Sequence, residues 1–271
     1  MSRLITLLAA AILALPFPAD GSADEKLKEL KAAYKAKDST TAVRLFDQLL
    51  QDFAGYDAKT QEEVVKVVEG AFPTRRDEGD DVEQLFIGAG AALANMGANG
   101  GKALLRSLNV KHLKNKPRVV ATLVEGLGQQ EDPAMVDALL PYLRVDKALG
   151  VNWPVAEGAV RALGRYRAAD GKLRKRVVGE MVLVLSDYDA KFAVEHKKPE
   201  PDAELETAFQ KLEAPLLLSL RSLSGAQFES AADWNQWWTK AKDDDWTVVV
   251  EPPPRPSALP LGKDGGGKGG S

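Results

Sequence analysis

From residue 24 onward, apolar positions recur at three- and four-residue intervals, the period of helices that each bury one stripe. Residues 24–37 predict a charged helix with Leu27, Leu30 and Ala33 on one side. Asp38 or Ser39 can cap the next, in which Ala42, Val43, Leu45, Phe46, Leu49, Leu50 and Phe53 share a face. A third carries Val64, Val65, Val67 and Val68, and the polar stretch 73–81 reads as a loop.

From about Val82 the pattern repeats: an apolar helix runs to a glycine, a short turn follows, and a second apolar helix returns. Gly97, Gly128 and Gly164 mark these ends, 31 and then 36 residues apart, where glycine suits a helix terminus that needs positive φ. Asp132 is placed to cap a return helix opened by Pro133 and continued by Met135, Val136, Leu139, Leu140 and Leu143. Leu173 to Leu185 supplies the next return helix. A further pair, 203–212 and 216–223, is expected to be split by Pro215. Stacked pairs at such a period bury one continuous core that no single pair can bury alone.

Leu127-Gly128, Glu131-Asp132-Pro133, Val136, Leu139-Leu140 and Leu143, followed by Val155-Ala156 and Ala159 to Gly164, resemble HEAT-type repeats in their short form. The turn at Gly225 to Phe228 ahead of a tryptophan-rich segment is similar to the C-terminus of secreted HEAT-repeat proteins of the planctomycete type. The resemblance spans roughly residues 82–186 and more loosely reaches 224. The stretch 144–154, which holds Trp153, is longer than the tight linker of such repeats. The fold class expected is all-α: a right-handed α–α superhelix, a HEAT-like helical solenoid with a Trp-rich C-terminal capping helix. The expected division is a signal peptide (1–23), an N-terminal helical extension (24–81), the solenoid (82–224), the cap (225–250) and a Pro- then Gly-rich tail (251–271).

Composition removes whole classes of chemistry. The absence of cysteine excludes disulfides, thiolate metal sites and a cysteine nucleophile, and two histidines, His112 and His196, cannot furnish a several-imidazole metal site. A net charge of −3 gives no global basic field for nucleic acid. Arg3, the apolar run from Leu4 to Leu15, the breakers Pro16 and Pro18 and the small residues Gly21-Ser22-Ala23 predict an export signal cleaved after Ala23. That run is shorter than the roughly 20 residues of a bilayer span. A secreted or periplasmic chain without a transmembrane helix is expected once the signal is removed.

Ser230 and Asp233 have capping-box spacing, and Trp234, Trp237 and Trp238 fall on one helical face. Covering the open end of the stack is the expected role of these five residues, with an exposed stacking face for sugar or peptide as the alternative. Arg161, Arg165, Arg167, Lys172, Arg174, Lys175 and Arg176 form the densest basic stretch, opposed by Asp170 alone. With Trp153, the residues Arg161, Arg165, Arg167, Arg174 and Lys175 are the candidate partner-binding set, for an acidic protein or an anionic glycan. The acidic runs at 77–81 and 243–245 lack the ligand order of an EF-hand. No Gly-x-Ser-x-Gly elbow, phosphate loop or His-Glu-x-x-His pair occurs. No catalytic residue, metal or cofactor is assigned. The expectation is a non-catalytic scaffold that holds another protein; a carbohydrate- or envelope-binding module is the alternative, and an enzyme such as a lyase ranks below both.

Overall fold

The structure, a computed structural model, describes residues 22–74, 79–145 and 152–247. The apolar signal run, most of the loop between 73 and 81, most of the 144–154 stretch and the Pro/Gly-rich tail lie outside the described residues.

Every regular element among the described residues is helical, with no strand. The α-helices are α1 (Ala23–Ala36), α2 (Ser39–Asp52), α3 (Ala58–Glu69), α4 (Ala71–Thr74), α5 (Asp80–Ala94), α6 (Gly97–Ser107), α7 (Pro117–Gln129), α8 (Val136–Leu139), α9 (Trp153–Leu163), α10 (Gly171–Glu195), α11 (Ala203–Ser224) and α12 (Ala231–Ala241). Side-chain caps open several of them: Asp38, Asp57, Asp170, Asp202 and Ser230 each accept a backbone N–H from the first turn. A reciprocal capping box stands at the start of α1, where Glu25 N–H donates to Ser22 Oγ (3.3 Å) and Ser22 N–H to Glu25 Oε2 (3.1 Å). The bond predicted for signal cleavage lies inside α1, so a cut there would remove this cap.

Two prolines act oppositely. Pro141 cannot donate back along its helix, and the segment 133–143, expected to be one helix, is a 3₁₀ turn, the short α8 and a second 3₁₀ turn. Pro215 was expected to split a helix pair, yet α11 runs through it. The buried stripe Leu212, Leu216, Leu220 and Leu223 continues across the proline. At about 1.5–3 kcal/mol per buried leucine this outweighs a proline cost of about 3 kcal/mol. In α10 the stripe likewise continues past Leu185 through buried Tyr188 and half-buried Phe192, so the helix ends ten residues later than the pattern predicts.

Helices α2, α5, α7, α9 and α11 lie side by side in that order, each packed on the next, with α7 against α9 the most extensive contact. A second set of neighbours pairs α1 with α3, α3 with α6, residues 140–143 with α10, and α10 with α12. Residues 24–81 do not stand apart: α2 meets α5 as α5 meets α7, and one hydrophobic core runs from Leu27 to Trp234. Exposed ion pairs link the second set, with Lys31–Glu63 between α1 and α3, Arg106 forked on Glu69 between α6 and α3, and Arg176–Asp137 between α10 and α8. Each such pair contributes at most about 1 kcal/mol.

The side-by-side row has the Arg118–Glu83 pair between α7 and α5, but is joined mainly by close backbone approach. Gly128 lies inside α7 and Gly164 caps α9 with φ −62°, so neither supplies the positive φ that the sequence pattern implied. They allow close approach instead. A Cβ at Gly128 would overlap the backbone of Ala162 in α9, and one at Gly164 would stand 2.5 Å from Ser219 Oγ in α11. Gly158 faces the Ala121 carbonyl and Gly90 faces Thr122 and Leu123. Left-handed backbone occurs at Gly97 (φ 62°) and Gly225, and after α7 at Glu131 (φ 49°). Gly128→Ala is expected to lower unfolding free energy by about 2 kcal/mol in chemical denaturation, within the overpacking range. Gly55→Ala, where nothing lies within 4 Å, should stay within about 0.5 kcal/mol. Equal effects at both positions would refute the close-packing role.

Candidate functional site

The tryptophan helix and the basic stretch, separate in sequence, meet at one end of the molecule. α12 packs on the first half of α10, where Gly179 leaves room for the Trp238 ring; a Cβ there would lie 2.7 Å from it. Trp234 is fully buried, while Trp237 and Trp238 are half-buried, so the three do not form an open stacking face. Trp234 meets Phe228 and Trp237 edge-on at centroid distances of 5.2 and 5.3 Å. Trp246 completes the cluster, 5.9 Å from both Trp237 and Trp238. Ser230 caps α12, its hydroxyl accepting from Asp233 N–H (3.1 Å) and donating to Asp233 Oδ2 (2.7 Å). The shorter aspartate thus bonds the capping hydroxyl, whereas Glu25 in α1 returns to the capping residue's N–H.

Arg174 binds this assembly together. Only 1% exposed, its guanidinium donates to the carbonyls of Ala169 (3.2 Å), Leu223 (3.1 Å) and Trp246 (2.8 Å), and lies 5.9 Å over the Trp246 ring. Burial lowers its pKa, opposed by the nearby Asp170 carboxylate. A buried cation of this kind is tolerable because carbonyls and an indole face replace water. Lys175 donates to the Asp244 carbonyl (2.5 Å), so two members of the candidate basic set serve the chain's own C-terminal turn. Gly171 permits the same approach, since a Cβ there would overlap the Trp246 carbonyl.

The other candidates are placed otherwise. Arg161, Arg165 and Arg167 are exposed at and just beyond the C-terminal end of α9, with Arg161 paired to Glu157 one turn back. That pair raises the Arg161 pKa, chiefly through its hydrogen bond to Glu157. Trp153 is the first residue of α9, half-buried against the core. Arg161, eight residues on in the same helix, stands about 12 Å from it along the axis at 1.5 Å per residue, and Arg165 and Arg167 lie beyond the helix end. The structure therefore does not gather Trp153 with the arginines.

Trp246 and Phe228 escaped the candidate set. The signal for Trp246 was an aromatic residue directly after the acidic run 243–245, which draws attention to charge instead. Among the described residues no three His, Asp or Glu side chains gather to hold a metal ion, and no helix is long and apolar enough to cross a membrane.

At the far end of α10, Phe192 stacks between Phe209 (4.5 Å) and His196 (5.5 Å), and His196 Nδ1 lies 3.3 Å from Glu206. Glu195, largely covered, accepts from Lys198 Nζ (2.7 Å) and the Asp202 N–H (3.0 Å), which pins the turn between α10 and α11.

No family model, curated protein or solved structure matches the chain.

Arg174→Met should lower stability by about 3 kcal/mol, because buried carbonyls lose their donor, and should red-shift tryptophan emission as Trp246 loosens. Arg165→Met should leave both unchanged. The Lys198 ammonium, then the Asp202 amide, hold the Glu195 carboxyl below its ordinary value. Its contribution is therefore fully present above the ordinary carboxylate pKa of about 4.3 and fades as pH falls through the depressed value. The protection factor of the Asp202 amide, the intrinsic exchange rate divided by the rate measured by NMR at the same pH, should fall on acidification in the wild type and show no such step in Glu195→Gln.

Proposed function

We propose that this chain is an exported, non-catalytic HEAT-like solenoid that holds another protein along one side of its stack, with α12 as the terminal cap. The observation that carries this reading is the exposure pattern of the helix row. Each of its five helices shows a single open stripe: Thr40, Arg44 and Asp47 in α2; Gln84 and Ala91 in α5; Arg118 with half-exposed Thr122 and Glu125 in α7; Arg161 with half-exposed Glu157 in α9; Ala214 and Leu218 in α11. Helices packed in a row, and backed by a second set, expose such stripes side by side as one continuous surface.

Two further features support docking there. Glycine contacts draw the row's helices together, and a stack bends toward the side on which its helices lie closer. On this proposal the row is the concave face. Toward its middle the exposed and half-exposed positions include the small residues Gly88, Ala91, Ala121 and Thr122, onto which a helix or extended segment would settle without displacing large side chains. Charges along it are of both signs and already partly matched, with Arg118 near Glu83 and Arg161 on Glu157, so register would come from complementarity and not from net charge.

A photo-reactive phenylalanine analogue placed at Ala91 or Thr122 tests this. Each should yield a discrete cross-linked adduct in the native envelope, and the same probe at exposed Lys102 on α6 should yield none. Adducts of equal strength at all three positions, or none at any, would overturn the docking surface.

A further inference from the structure

The molecule carries a second concavity, away from the helix row. Where α10 begins, α11 ends and the chain turns after α12, a cavity of about 270 Å³ lies between Trp237 and Trp246, with exposed Asp244 and Asp245, buried Arg174, and Ser224 also lining it. We propose that this cavity is a binding site for a single neutral sugar ring, a hexopyranose held against the two indoles.

The aromatic wall is rigid. The Trp246 indole donates to the Ala241 carbonyl (2.8 Å), its own carbonyl accepts from Arg174, and its backbone sits in space left by Gly171. Trp237 stands beside it at 5.9 Å and an interplanar angle of 54°, so the two half-buried rings make an angled corner. A pyranose presents an apolar C–H face and a rim of hydroxyls. The first suits an indole and the second needs acceptors, which the carboxylates of Asp244 and Asp245 supply at the open edge.

Charge selects against the other ligand classes. Two carboxylates repel an anion such as phosphate. A cation is repelled by the Arg174 guanidinium that lines the cavity beside Trp246 and by Lys175, held next to it on the Asp244 carbonyl, whereas a neutral ring is not. Volume sets the size: the cavity falls just below the range of about 300–1,000 Å³ that takes drug-sized ligands, which fits one ring.

The test uses the full chain and the indole N–H signals of its five tryptophans in a two-dimensional NMR spectrum, assigned through Trp→Phe variants. Glucose, galactose and N-acetylglucosamine are titrated separately, with choline and inorganic phosphate as comparison probes. At least one hexose should shift the Trp237 and Trp246 signals saturably, with a Kd of about 1 mM, and leave Trp153 unmoved. Asp245→Asn, at an exposed position that spares the fold, should weaken that Kd about tenfold with an unchanged circular dichroism spectrum. The proposal is overturned by no saturable shift with any hexose, by a shift with choline or phosphate alone, or by equal movement of Trp153. Cross-linking at Thr122 reads a different surface, so either outcome there is distinguishable from failure here.

Discussion

The fold depends on how closely α7 and α9 approach. Their contact is the most extensive among the described residues, and at its tightest point the Gly128 Cα faces the backbone of Ala162 with no space for a Cβ. Gly158 answers from α9 against Ala121. A methyl at either position would push the helices apart, and close-packed interiors transmit such displacement instead of absorbing it. The row on each side would move with them: α5 is fitted to α7 through Gly90, and α11 to α9 through Gly164 and the Ser219 hydroxyl, which donates to the Val160 carbonyl (3.1 Å). The spacing of the open stripes follows from these few missing side-chain atoms.

Helix existence was legible in the chain, because stripes such as Leu45, Phe46 and Leu49 or Val177, Val178 and Met181 announce a buried face from local spacing alone. Caps at Asp38, Asp132 and Ser230 were legible for the same reason, since their partners are two or three residues away. What depended on distant neighbours was not. Gly164 closes α9 as its place in the sequence suggests, but only the facing helices show that it and Gly128, inside α7, also leave room for close approach. Pro141 and Pro215 cannot be told apart locally, since each sits in a buried stripe, Val136, Leu139 and Leu143 around the first and Leu212, Leu216 and Leu220 around the second; yet α11 runs through its proline and 133–143 breaks into short turns. In the C-terminal site, Arg174 and Trp246 are 72 residues apart, so the basic stretch and the tryptophan helix read as separate features until the fold brings them together.

The same contact explains why a strongly basic stretch need not be a binding surface. Of its cations, Arg174 is spent on three carbonyls, Lys175 on a fourth, Arg161 on Glu157 and Arg176 on Asp137. Each of these partners comes from the chain itself, and the buried one matters most, since an arginine removed from water must be matched where it lies. Charge density in sequence therefore overstates the charge presented to a partner.

The two proposed surfaces share one helix, α11, which contributes Leu218 to the row and Ser224 to the cavity. Coupling between sites requires an element with two discrete arrangements that each ligand biases differently. α11 is poorly suited to that part. It is locked to α9 by the Ser219–Val160 hydrogen bond and the Gly164 contact, and to α10 by the Arg174–Leu223 hydrogen bond, with buried leucines between. Sliding it by even 1 Å would break hydrogen bonds on both flanks, at about 1 kcal/mol or more each. A ring bound at Trp246 and a protein docked along the row would thus occupy one rigid body, each leaving the other's affinity unchanged.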